Sequence, residues 1–195
     1  MERRNFIIAS MVGAASLLTL AACGTVSTAS TTTDSAPAQR RRKVNSDADA
    51  TLGRLYTLVP GSREVVGKAR GALVFPSVIA AGLVVGGEYG EGVLRVGNST
   101  EAYYNLASAS VGLQIGAQSK AIIFLFMTQD SLDKFRNSKG WSVGVDASVA
   151  LIRVGANGEL DLNSVTGPVV AFVMTNAGLM ANLTLEGTKI TRLET

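Results

Sequence analysis

Glycine recurs inside runs that otherwise read as β-strand. Gly82, Gly86, Gly87, Gly90, Gly92, Gly112 and Gly116 all fall in such runs, and the chain has 21 glycines. Glycine weakens a strand, so its repeated use there needs a geometric reason: a bulge, a sharp bend or a close backbone approach. The pattern predicts a strongly curved antiparallel sheet, closed or nearly closed into a barrel or a tight sandwich. Trp141, Val143, Val145, Ala147, Val149 and Leu151 alternate with smaller or polar residues, which predicts a half-buried strand over 141–151. Leu179, Ala181, Leu183 and Leu185 alternate in the same way. Ala121 to Met127 is unbroken apolar and suits a strand covered on both faces.

Helical spacing is confined to three places. Ala48, Leu52, Leu55, Tyr56 and Val59 predict a first helix capped by Ser46 and stopped by Pro60-Gly61. Ser62 is placed to cap a second, with Val65, Val66 and Ala69 on one face. Asp130 to Ser138 reads as one inserted helix, capped by Asp130, with Leu132 and Phe135 inward. The fold class expected is α+β and mainly antiparallel β: a curved or barrel-like sheet, two short N-terminal helices and one inserted short helix. Residues 46–195 are read as a single domain, long enough to bury roughly 70% of its unfolded surface.

Composition removes several chemistries. The chain has no histidine, and hence lacks the commonest general base and metal ligand. Ser-His-Asp and Cys-His catalysis and ordinary zinc sites are excluded. Cys23 is the only cysteine, so the chain forms no internal disulfide. Of its basic residues, Arg40, Arg41, Arg42 and Lys43 stand together; from Asn45 onward twelve basic residues face thirteen acidic ones. A nucleic-acid binder spreads basic residues over a face or groove, and this chain does not.

The N-terminus has the parts of an export signal: Arg3 and Arg4, then a mostly apolar stretch from Phe6 to Leu20. Fifteen residues are too few for a spanning helix, which needs about 20, and fit a signal h-region. Leu20-Ala21-Ala22-Cys23 closes it and resembles a bacterial lipobox. The resemblance to bacterial lipoproteins implies diacylation of Cys23, cleavage before it and acylation of the new amino terminus. Several acyl chains hold firmly where one alone is marginal. Residues 1–22 are thus read as signal peptide, with an uncleaved anchor as the alternative. Arg3-Arg4-Asn5-Phe6-Ile7 also partly resembles a twin-arginine motif, with Glu2 where Ser or Thr is favoured; general secretion fits better. Gly24, not Asp, follows the cysteine, which implies the outer membrane, facing the periplasm.

Residues 23–45 are read as the lipidated cysteine and a flexible linker, rich in Ser, Thr and Ala. Such a tether holds the domain on the order of 25 Å from the lipid. Arg40–Lys43 at its far end is either a solvated charge cluster or a contact for anionic headgroups, at about 1 kcal/mol per basic residue near a charged surface.

Several stretches between Gly71 and Arg192 occur in the order of one known family. They are Leu73-Val74-Phe75-Pro76, Gly86 to Gly92, Tyr103-Tyr104 with Ser108-Ala109-Ser110, and Gly112 to Gln118. Phe124-Leu125-Phe126-Met127, Leu132 with Phe135, Trp141 with Val143 to Asp146, and Gly178-Leu179-Met180 complete them. This part of the chain closely resembles the SYLF family of lipid-binding domains, in its bacterial lipoprotein branch. The group also includes actin-patch and phosphoinositide-binding proteins of eukaryotes. The resemblance implies a β-rich domain with N-terminal helices that engages phospholipid and has no known enzymatic activity. Basic N-terminal residues are associated with the membrane in eukaryotic relatives, and Lys68 and Arg70 stand in comparable positions. Many relatives carry a Lys three or four residues after the Phe-Pro element, where this chain has Ala80.

Other motifs read plainly. Gly87 to Gly92 lacks the following helix and Lys-Ser/Thr of a phosphate loop and reads as a tight β connection. Glu88 and Glu91 could be paired carboxylates, but no aromatic-rich sugar platform accompanies them. Asp161 and Asn163 lack the spacing of a calcium loop. Asp146 is expected to face solvent or bond a neighbouring backbone.

The function expected is that of a membrane-anchored lipoprotein contacting anionic phospholipid, through Cys23 and through Arg40, Arg41, Arg42, Lys43, Lys68 and Arg70. A closed sheet could take an acyl chain inside, or be filled by its own side chains. The alternative is a structural or protein-interaction envelope lipoprotein with no direct lipid ligand. No catalytic residue, cofactor, metal or nucleic acid is expected.

Overall fold

The structure, a computed structural model, describes residues 35–82, 85–111, 118–152, 160, 166–176, 178–179 and 184–194. Two helices come first, α1 (Ala36–Leu58) and α2 (Ser62–Lys68). Four long strands follow: β1 (Gly71–Gly82), β2 (Val85–Val96), β3 (Ser99–Val111) and β4 (Gln118–Phe126). After α3 (Gln129–Asn137) come β5 (Trp141–Ser142), β6 (Ala150–Leu151), β7 (Val169–Thr175), β8 (Gly178–Leu179) and β9 (Lys189–Arg192). The strands form one sheet in the order β5-β9-β3-β2-β1-β4-β7-β6, with β8 also pairing β7. Of these named strand pairs, β6–β7 is parallel and the others are antiparallel.

The sheet is curled, and three aromatic residues show it. Trp141 lies in the edge strand β5, five strand spacings from β4, or about 24 Å in a flat sheet. Its ring centroid is 6.0 Å from that of Phe124 on β4 and 6.2 Å from that of Phe126. The inner face therefore wraps around one apolar cluster, built from Leu73, Phe75, Val78, Leu94, Leu106, Ile122, Phe124, Phe126, Trp141 and Ile190 with Leu132 and Phe135 of α3. The outer face carries a second cluster, where Ala48 and Leu55 of α1, with Val59 just after it, cover Val74, Val93, Ile123, Leu125, Val170 and Phe172. β4 separates the two, which is why its apolar run is unbroken.

β5 and β6 are the two ends of the sheet path, yet only residues 143–149 join them. This segment spans the gap in the half-barrel. The expected strand over 141–151 is thus reduced to two short pieces and a single bridge between Val143 and Ala147. Gly144 takes φ 88°, and the backbone N–H of Asp146 and of Val145 both donate to Ser142 O. The Asp146 carboxylate accepts from Ser142 N at 2.6 Å, a bond to neighbouring backbone. Val143, Ala147, Val149 and Leu151 still pack on the inner cluster, but Val145 sits on the turn and is 84% exposed. Of the expected strand over 179–185, β8 holds only its start; 180–183 lie outside the described residues.

Gly87 to Gly92 is not a β connection but the middle of β2, paired with β1 on one side and β3 on the other. Its glycines serve close approach. β1 bulges between Val74 and Ser77, around Pro76, which has no N–H to give the ladder. A Cβ on Gly92 would lie 2.5 Å from Phe75 Cδ1, and one on Gly90 would lie 2.8 Å from Ser77 O.

The first helix is not short. It has 23 residues, begins at Ala36 and takes in 36–45, expected as the end of the linker. Ala, Gln, Arg and Lys favour helix, Pro37 suits a first turn, and Val44 packs on the outer cluster. Ser46 is consequently mid-helix, and Ser35 precedes the first turn. α2 is preceded by Gly61 at φ 84°, and buried Ser62 bonds Leu55 O instead of capping. Thr128 caps α3, accepting from Ser131 N at 3.2 Å, with Asp130 in the first turn; Leu132 and Phe135 are buried as expected.

Candidate functional site

Arg40–Lys43 occupies the second turn of α1, where the helix passes over β2 and β3. Ala36, Pro37, Arg40, Arg41 and Val44 form one wall of a groove of about 290 Å³; Glu91, Gly92, Tyr103, Leu193 and Glu194 form the rest. The chain end is held there by Leu193 N, which donates to Tyr103 O at 2.9 Å. Asn45 ties the helix to the sheet, donating to Tyr103 Oη at 2.6 Å and accepting from Thr100 Oγ1 at 2.7 Å.

The four cations are differently placed. Arg40 Nη1 donates to Glu91 Oε1 at 3.4 Å with its side chain 71% exposed, so this pair is worth well under about 1 kcal/mol. The Arg41 guanidinium lies 5.5 Å from the Tyr103 ring centroid. Lys43 reaches Asp47 one turn on, at 2.6 Å, and both are solvated. Arg42 is exposed. None of these cations is buried.

Lys68 and Arg70 do not join them. They lie past the far end of α1, and Arg40 to Leu58 alone spans about 27 Å of helix. Lys68 pairs with Glu64 at 2.7 Å in full exposure, and its hydrogen bond and charge lower the Glu64 carboxyl below its ordinary range. Arg70 is exposed, its backbone N–H donating to Phe126 O. Cys23 lies outside the described residues, as do Asp161 and Asn163.

The two glutamates are not a carboxylate pair. Three positions apart on one strand, they project to opposite faces: Glu91 outward to Arg40, Glu88 inward to Lys120 at 2.7 Å. Among the described residues no group of acidic, histidine or cysteine side chains is arranged to hold a metal ion. No helix among them is long and apolar enough to cross a membrane. Inside the curl the space is taken by side chains: Phe126 and Phe135 have centroids 4.7 Å apart, Phe135 and Trp141 5.5 Å. These rings stand where an enclosed acyl chain would lie.

Two outer-face residues escape sequence reading. Ile79 and Tyr89 are directly paired across β1 and β2 and are 54% and 51% exposed. Both sit in apolar or glycine-rich runs that read as core or turn. Among the described residues, α1 does not reach far enough to cover them.

The architecture is that of an α+β protein with a curled, mostly antiparallel sheet, clad on one face by a helix that starts with a basic run. The model of the Ysc84 family, described as Las17-binding protein actin regulator, matches residues 107–194. This stretch thus matches the SYLF family that the sequence motifs lead one to expect. The match runs from β3 to β9 and leaves α1 with its basic run outside it. No curated protein matches the chain.

Proposed function

We propose that this protein is a lipid-anchored bacterial envelope protein, facing the periplasm from the outer membrane, whose Ysc84 domain contacts anionic phospholipid. It is a binding module and not an enzyme. The observation that carries the reading is the position of Arg40–Lys43: four consecutive cations, none of them buried, in the second turn of a helix, with Arg40 and Arg41 on the wall of a partly apolar groove. Near an anionic bilayer each contributes about 1 kcal/mol. Leu20-Ala21-Ala22-Cys23 supports the anchor. Twelve residues separate Cys23 from Ala36, so an acylated Cys23 keeps the helix start within about 45 Å of the lipid even at full extension.

The test has two parts. Palmitate labelling of cells making the full chain is expected to mark the wild type and not Cys23→Ser; equal labelling of both rejects the anchor. Purified full chain is expected to bind phosphatidylglycerol-containing vesicles more tightly than phosphatidylcholine ones. Arg42→Gln with Lys43→Gln should lose about 2 kcal/mol of that preference at low salt. Equal binding to both vesicle types rejects headgroup contact.

The second reading, a protein-interaction lipoprotein, draws on the family's description as Las17-binding. The ends of the sheet path favour it little: β5 and β6 are two residues each and offer a partner strand a short ladder.

A further inference from the structure

Beyond the reach of α1, part of the outer face of the sheet is left uncovered among the described residues. A row crosses it over four strands: Ala107 of β3 is opposite Tyr89 of β2, Tyr89 opposite Ile79 of β1, and Ile79 opposite Ser119 of β4. All four are exposed. Ile79 and Tyr89 thus form an exposed apolar pair on two central strands, near the hairpin end of β1 and β2, and adjoining exposed apolar residues mark an interaction site. The row is continuous with the basic run. Tyr89 Oη lies 3.4 Å from Glu91 Oε1, and the same oxygen accepts from Arg40 Nη1 at 3.4 Å. Burial, and then the Glu91 charge, push the Tyr89 hydroxyl above its ordinary range, so it stays neutral at physiological pH.

We propose that this row is the surface that seats on an anionic bilayer. Ile79 and Tyr89 enter the boundary between headgroups and acyl chains, and Arg40–Lys43 at the edge meets the phosphates. Tyrosine suits that depth, with an apolar ring and a polar tip. Apolar contact flanked by cations is the composition of an interfacial binding surface. A protein partner for the same patch would have to cover the apolar pair and also complement four cations; an anionic bilayer does both. The inference rests on the lipid-contact reading above and adds to it which face docks.

The experiment uses the full chain carrying Ile79→Trp. Trp141 is the only native tryptophan and is buried in the core, so the new residue reports on position 79. Brominated phosphatidylcholine mixed with phosphatidylglycerol is expected to quench it strongly, and brominated phosphatidylcholine alone weakly. Val145→Trp, on the exposed turn between β5 and β6, serves as control and should stay unquenched. Separately, Ile79→Ser with Tyr89→Ser should lower partitioning to the anionic vesicles roughly tenfold, with Trp141 emission unchanged as proof of folding. If the chain sediments with anionic vesicles in preference to neutral ones but Trp at 79 is not quenched, the docking face is wrong and the lipid reading survives. Loss of the anionic preference altogether rejects both. Equal quenching at 79 and 145, or a folded double variant that binds as tightly as the parent, also overturns the proposal.

Discussion

Lys120 and Glu88 meet over the strand that divides them. They stand on β4 and β2, on the inner face, with Nζ 2.7 Å from Oε1 and each side chain only 9% exposed. Between them runs β1, where Val78 is opposite Lys120 and Ala80 opposite Glu88. The small side chain of Ala80 leaves the two long ones room to cross. Breaking such a pair strands a buried charge, so Lys120→Ala or Glu88→Gln should each cost about 3–5 kcal/mol in urea unfolding. Lys120→Met combined with Glu88→Leu should recover most of that loss. Single variants that each lose less than about 1 kcal/mol would show that the pair is solvated.

The glycines of β2 should divide sharply from that of α1. On Gly92 a methyl would sit 2.5 Å from fully buried Phe75 and 2.6 Å from Val74 O. Neither can retreat, the first for packing and the second because it is backbone. Gly92→Ala and Gly90→Ala should each cost about 1–3 kcal/mol or more. Gly53, exposed on α1, has nothing within 4 Å of its would-be Cβ, and Gly53→Ala should gain about 0.5–1 kcal/mol. Thermal midpoints read both directions, and a Gly92→Ala variant as stable as the parent contradicts the close approach.

What was legible in the sequence follows from what each residue answers to. Ala121–Met127 could be read because both faces of β4 are covered, which leaves no polar phase. The alternation over 141–151 identified the inward residues Val143, Val149 and Leu151, since side-chain direction is local. It did not reveal that the ladder breaks, because Gly144 and the Asp146 side chain make a turn inside the same period. Residues 36–45 looked like tether by composition; their helix depends on Val44, Asn45 and Arg41 finding Tyr103 and the outer cluster. The lipobox and the basic run are linear signals. The exposure of Ile79 and Tyr89, and the Lys120–Glu88 pair, depend on sheet register and helix length, which pattern alone does not carry.

Tyr104 predicts an alkaline limit. It is 3% exposed, its ring stacks on Phe135 at 4.8 Å, and its hydroxyl has no hydrogen-bond partner among the described residues. Burial pushes that hydroxyl above the usual phenol range. The sign follows from proton linkage. Above about pH 10 the unfolded chain ionises first, so the stability Tyr104 holds at lower pH is lost as pH rises through its folded value. Tyr104→Phe should flatten that alkaline fall. At neutral pH it should leave stability unchanged or raise it by up to about 1 kcal/mol, because an orphaned polar group is removed. A loss above about 1 kcal/mol would mean that the hydroxyl has a partner after all.

Glu91 should restrain the surface it sits on. Its carboxylate is the one acidic group that bridges Tyr89 to Arg40, and it holds a negative charge where anionic headgroups would come. Glu91→Gln removes that charge and releases Arg40, while keeping an amide oxygen as acceptor. Arg40 is largely exposed and the contact is long, at 3.4 Å, so folding stability should change by less than about 1 kcal/mol. Binding of the full chain to phosphatidylglycerol vesicles should tighten about fivefold at low salt, the effect of one charge near the surface. In roughly 1 M salt, where the screening length falls to about 3 Å, the gain should vanish. Titration of the variant and its parent against vesicles at both salt levels reads this directly. Unchanged affinity at low salt would place Glu91, and the row beside it, away from the bilayer.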